Sequence, residues 1–173
     1  IKEIMPLFSK GVVCFIGGNH GENRKNGRAY TTFADNKDVM LAEELQEIFK
    51  ESPAYSKSLD FIIPDNELHL TIEVSDTVLL LLHGHQMRGA GNSQAKARKW
   101  LSDQAFSRSE TADADIVLHG HYHYFSAYES SDRLILQAPT LDSGSEWFEN
   151  TKGDKSRAGM LTFVIGGKEK WDY

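Results

Sequence analysis

Thr77-Val78-Leu79-Leu80-Leu81-Leu82-His83-Gly84-His85 decides how this chain is read. Five aliphatic residues in a row, without polar alternation, are what a strand buried on both faces of a helix-covered sheet looks like. The run stops at a histidine-glycine turn. Two other apolar runs stop in a similar way. GVVCFIG at 11–17 leads into Gly18-Asn19-His20, and the run from Asp115 to Leu118 leads into His119-Gly120-His121-Tyr122-His123. Strand ends can bring such side chains to one edge of a sheet, and imidazole nitrogens with amide oxygens suit borderline divalent cations such as Mn, Zn or Fe. A strand period of two further predicts that His121 and His123 point to the same side.

Outward from these turns the pattern is mixed helix and strand. A helix is expected from Asp35, with Asp35 as its cap, Asp38 in its first turn, and Val39, Leu41, Ala42, Leu45, Ile48 and Phe49 as its apolar stripe. It should end near Pro53. A second helix is expected from about Ser93 to Phe106, with Ala97, Trp100, Leu101 and Ala105 inward. LDFII at 59–63 and LHLTIEV at 68–74 read as two strands joined by a tight turn at Pro64-Asp65-Asn66, with Leu68, Leu70, Ile72 and Val74 on one buried face. Residues 18–32 read as a polar, glycine-rich loop. FSAYES, RLILQAP and MLTFVIG read as antiparallel strands, with a turn-rich stretch from Leu141 to Arg157 before the last. Together these elements imply an α/β (α+β) layered sandwich formed by a single domain over 1–173.

Composition narrows the function classes. The chain has 173 residues, 40% of them hydrophobic, which is enough for one ordinary core. Its one cysteine, Cys14, excludes an internal disulfide and is expected to be a small buried side chain; a reducing, cytoplasmic setting fits. The aliphatic stretch from Val78 to Leu82 is far below the ~20 residues that span a bilayer. No basic-then-apolar leader pattern opens the sequence, so neither membrane nor secretion is indicated. A formal net charge of -6 argues against binding nucleic acid through a broad basic face. It leaves room for local phosphate contacts from Arg24, Lys25 and Arg28 or from Lys96, Arg98 and Lys99, although each cluster by itself reads as a solvated face.

Gly18-Asn19-His20, His83-Gly84 and Gly120-His121-Tyr122-His123 together resemble the GNH, H and GHxH motifs of the calcineurin-like metallophosphoesterases, in that order. The resemblance covers about residues 11–165. Within it, GNHGENRK, HGHQMRG and PTLDSGSEW look most similar to bacteriophage-encoded members, which would place the protein in the host cytoplasm. The resemblance implies a four-layer α/β/β/α fold of which this chain is the C-terminal part. It also implies two divalent ions, Mn first, with Zn, Fe or Ni as alternatives. Asn19, His83 and His121 would hold one ion and His123 the other. His20 would be the general acid, and Arg24, Arg28 and Arg88 would contact a phosphoester substrate, with nucleic acid as one such partner. Two metals roughly 3.5–4 Å apart would polarise phosphoryl oxygens and supply hydroxide near neutral pH.

The chain departs from that pattern in one respect. The family's D-x-H and following G-D motifs do not precede Gly18, and IKEIMPLFSK contains neither Asp nor His. The remaining ligands are all neutral, so at most one well-formed metal site and little or no hydrolysis are expected of this chain. A non-catalytic binding or scaffold module is the alternative. Simpler readings stand beside these. The histidines could be solvated polar residues at strand ends, His85 and His119 packing or supporting residues, and His69 an exposed strand residue. Trp100, Trp147 and Trp171 fit core or turn packing better than base stacking. A cupin reading of His121, His123 and Glu129 fails on spacing and on the two helices. A structural zinc site lacks its usual cysteines. The sequence does not fix an oligomeric state.

Overall fold

The computed structural model describes residues 1–65, 67–142, 149–150 and 157–166. They fall into two compact units, Ile1–Leu68 and His69–Tyr173.

In the first unit, β1 (Gly11–Cys14) pairs in parallel with a strand at Leu59–Ile62, and one long helix, α1 (Lys37–Lys50), lies between them in sequence. The cap of α1 is Asn36 rather than Asp35: the Asn36 side chain accepts the Asp38 N–H at 2.9 Å, which satisfies one of the amides a helix start leaves open. Phe49 packs with Met5, Leu59, Val13, Tyr55 and Phe61. The expected apolar stripe is only half used. Val39, Ala42 and Phe49 are buried, whereas Leu41 and Ile48 are exposed, because at 100° per residue these two sit on the far side from Val39. β1 likewise is not buried on both faces, since Val12 is 57% exposed. Cys14 is half-buried, and burial pushes its thiol up from the ordinary value, which suits packing rather than nucleophilic chemistry.

The segment read as a loop contains a short hairpin, β2 (Arg24–Lys25) with β3 (Arg28–Ala29). Its turn is Asn26-Gly27, with φ of 52° and 76°, the left-handed pair that matches strand twist and that Asn-Gly adopts most readily. The strand at Leu59–Ile62 is β4. It does not form a hairpin with the next strand, as the Pro64-Asp65-Asn66 turn suggested. β4 pairs with β1, and the next strand joins a different sheet. Asn66 itself lies outside the described residues.

The second unit holds β5 (His69–Val74), β6 (Thr77–Leu82), β7 (Ile116–His119), β8 (Ser126–Glu129) and β9 (Leu134–Gln137) in the order β5-β6-β7-β9-β8. β6-β7 and β7-β9 are parallel, and the outer pairs antiparallel. The second helix, α2 (Ser93–Phe106), matches the expected bounds and is capped by Asn92, which accepts the Ala95 N–H at 3.0 Å. It forms the β6-α2-β7 crossover that parallel strands need. Its Ala97 and Leu101 bury one sheet face with Leu80, Leu82, Val117, Ile135 and Met87, and Trp100 packs half-buried beside them. Ala105, expected inward, is exposed.

On the opposite face Leu79, Ile116 and Leu136 are covered partly by Leu161 and Ile165. No strand forms over 160–166, contrary to the sequence reading. Leu161 and Ile165 cover the sheet face without joining the ladder, while Met160, Phe163 and Val164 are exposed. Each fully buried aliphatic side chain in these layers contributes about 1.5–3 kcal/mol. Of the residues expected on one buried face, Leu70 and Ile72 on β5 are half-buried, whereas Val74 at its end and Leu68 just before it are exposed, so that face is only partly formed. Trp147 and Trp171, with most of the turn-rich stretch after Leu141, lie outside the described residues. The architecture is mixed α/β, as the run at 77–82 implied.

Candidate metal centre

Parallel pairing of β6 and β7 puts Leu82 beside His119, so the chain leaves both strands side by side at their carboxyl ends. This is where sheets of α/β type place ligands. The ladder runs one step further, with Gly120 N–H donating to the His83 carbonyl at 3.1 Å. Gly84, at φ 106°, lets the two turns approach. A Cβ there would lie 3.2 Å from the Gly120 carbonyl oxygen and 3.3 Å from His121 Cβ. The result is a group of three half-buried imidazoles from two turns. Ring centres are 5.2 Å apart for His83 and His121, 5.3 Å for His83 and His85, and 6.4 Å for His85 and His121.

An imidazole nitrogen bound ~2 Å from a cation places its ring centre a little over 3 Å away, so two rings at a tetrahedral angle stand ~5 Å apart. By this measure the ring spacings of His83–His121 and His83–His85 both fit one shared cation. The wider His85–His121 spacing does not. Among the described residues no group of three or more His, Cys, Asp or Glu side chains is arranged to hold a metal ion. Two imidazoles by themselves do not complete a metal's ligand set.

The GHYH turn differs from the expected strand. β7 ends at His119, and His121 and His123 have φ of 72° and 67°. Alternation therefore does not set their directions. His121 meets His83, whereas His123 is exposed, with its carbonyl accepting the Thr140 N–H at 3.4 Å. His119 is buried, and its Nδ1 lies 3.1 Å from the Gly120 carbonyl, which assigns the ring proton to Nδ1. Its Nε2 has no partner among the described residues, and burial holds its pKa below the ordinary histidine range. His119 is thus a packing residue, as the sequence suggested. His85, read the same way, stands among the imidazoles.

Asn19 and His20 belong to the first unit, Asn19 half-buried and His20 exposed. Their turn is clamped by the start of α1. Gly18 N–H donates to Asp38 Oδ2 at 2.8 Å, Asn36 Nδ2 donates to the Gly18 carbonyl at 2.9 Å, and Lys37 N–H donates to the Gly21 carbonyl at 2.8 Å. A Cβ on Gly21 would fall 2.1 Å from Asn36 Oδ1, so the turn requires glycine there. Asn36 and Asp38 position this turn, and the sequence reading gave them no such role. Asp38 looked like an ordinary first-turn acid, and nothing local marks a carboxylate that reaches back 20 residues. Arg24 pairs with Glu22 at 2.7 Å, while Arg28 and Arg88 are exposed. No helix among the described residues is long and apolar enough to cross a membrane.

No family model matches the chain, and no curated protein matches it. Solved structures do. Vacuolar protein sorting 29 from Cryptosporidium parvum is 14% identical, with 76% of this chain and 74% of that chain covered and a TM-score of 0.40. A predicted phosphoesterase from Streptococcus pneumoniae is 16% identical, with 78% and 73% covered and a TM-score of 0.36. A novel archaeal phosphodiesterase is 18% identical, with 81% and 59% covered and a TM-score of 0.41. At these identities and TM-scores the likenesses carry no argument, and fold and chemistry rest on the chain's own residues.

Proposed function

We propose that the chain carries the histidine half of a metal-dependent phosphoesterase site of the calcineurin-like kind. The supporting observation is that His83 and His121, far apart in sequence and each in its motif, bring their rings within 5.2 Å at the carboxyl ends of adjacent parallel strands. In this reading the pair holds one divalent cation, with Mn preferred. At most one ion is expected in this chain, and in a complete site His123 would serve the second. A bound dication supplies charge stabilisation to a phosphoryl oxygen and acidifies water. Arg88, exposed in the same unit, contacts phosphate. The substrate is a phosphodiester, DNA first, with phosphomonoesters next; the phage-like form of GNHGENRK motivates that order and a host-cytoplasmic setting. All ligands in this chain are neutral, so its own turnover is expected to be slight.

The test combines binding and turnover. Calorimetric titration with Mn and Zn should show binding that weakens at least ~10–100-fold in His83→Ala and in His121→Ala, the loss seen even for groups one step removed from a metal. Unchanged affinity in both variants removes the ligand assignment. Hydrolysis of bis(p-nitrophenyl) phosphate with added Mn then separates the readings: metal binding without any turnover favours a non-catalytic binding module.

A further inference from the structure

His121 is the central residue of a γ-turn. Its φ is 72°, and Tyr122 N–H donates to the Gly120 carbonyl two residues back at 2.9 Å. The γ-turn with positive φ is the rare, strained form, and such a conformation persists at about 1–3 kcal/mol only where the surroundings over-determine it. Histidine has no glycine-like freedom to absorb that cost. What surrounds the turn is chiefly the next side chain. The Tyr122 ring meets His121 edge-on at 5.0 Å between centres and His119 edge-on at 6.0 Å. It packs against the core formed by Leu80, Leu82, Met87, Ala97 and Leu101. Its hydroxyl donates to the Met87 carbonyl at 3.4 Å, in the turn that also carries His83 and His85. Lys96 of α2 sits 5.5 Å from its ring centre.

We propose that Tyr122 is the positioning residue of the histidine pair: wedged between His119 and His121 and tied to Met87, it holds the strained turn and locks His121 to the turn bearing His83. β7 through His119, α2 through Lys96 and the turn after β6 through Met87 all meet this one side chain. His119 contributes the rigid wall behind it. The inference rests on the reading that His83 and His121 form the centre, yet it concerns their geometry and is measurable without metal.

The experiment uses the full chain with isotope-labelled histidine and compares wild type, Tyr122→Phe and Tyr122→Leu. In metal-free protein the nuclear Overhauser contact between the His83 and His121 rings should be present in wild type, weaker in Tyr122→Phe and absent in Tyr122→Leu. The methyl spectrum of the β7 and β9 residues should stay native-like. Mn or Zn affinity should fall several-fold in Tyr122→Phe and ~10–100-fold in Tyr122→Leu, the range for groups that orient metal-binding imidazoles. A ring contact and affinity unchanged in Tyr122→Leu overturn the proposal. If Tyr122→Leu fails to fold, an unchanged Tyr122→Phe overturns it by itself. A wild-type protein that binds neither metal defeats the phosphoesterase reading instead, while the ring contact still decides the role of Tyr122.

Discussion

The Gly17–Gly21 turn and the His119–His123 turn carry comparable motifs and are built in opposite ways. The first is gripped by side chains: Asn36 and Asp38, at the start of α1, hold the Gly18 carbonyl and amide. The second is gripped by the sheet, through backbone continuity with β7, which pairs in parallel with β6, and through Tyr122 packed against the core. A turn held by two polar side chains stands or falls with them. A turn that extends a buried ladder inherits the stability of everything beneath it.

The largest effect that can break this contrast comes from the core. Ile116 is fully buried on β7, so Ile116→Ala should cost about 2–5 kcal/mol in urea denaturation. If the strand-end turn draws its order from the sheet, hydrogen exchange at the Gly120 amide should accelerate with that loss, and the Gly18 amide should change much less. Equal acceleration at both would erase the distinction. Asn36→Ala is the reciprocal test. It removes the α1 cap and the donor to the Gly18 carbonyl at one stroke, an expected ~1–3 kcal/mol, with faster exchange at Gly18 and Lys37 and no change at Gly120. Asn36→Asp keeps the cap but faces the Gly18 carbonyl with an acceptor, and should fall between.

The same contrast explains what could be read in the sequence. β6, β7 and α2 were legible because their residues answer to one period over a buried run. The helix bounds at Ser93 and Phe106 match the apolar spacing, although its Asn92 cap carries no mark in that spacing and Ala105 lies outward. What was not legible depends on partners distant in the chain. LDFII and LHLTIEV resemble a hairpin locally, yet β4 pairs with β1 across some 48 positions, as Gly11 opposite Leu59 shows. The strand period puts His121 and His123 on one side, but β7 ends two residues before His121, in a turn whose backbone is left-handed. Asn19, His83 and His121 could be nominated from motif order. The place of His85 among the imidazoles required Gly84, whose conformation brings two turns within contact.

Hairpin chemistry offers the finest test of how far the two units differ. In the first unit β2 and β3 are joined by Asn26-Gly27, which takes two left-handed residues at little cost. In the second, the β5-β6 hairpin turns through Ser75-Asp76, at φ of 50° and 62°, and β8-β9 through Ser131-Asp132, at 53° and 58°. None of these four is glycine, so the second unit bears a backbone cost that its buried sheet offsets. Left-handed φ costs an ordinary residue ~1–2 kcal/mol, somewhat less for Asp, and glycine returns part of the gain through its freer unfolded chain. Asp76→Gly and Asp132→Gly should therefore each stabilise by only about 0.5–1 kcal/mol, read as a higher urea midpoint at constant slope. Gly27→Ala should destabilise by a similar amount. If the aspartate variants instead lose stability, the Asp side chains themselves hold these turns, and the second unit would then rely on local polar clamps much as the Gly17–Gly21 turn does.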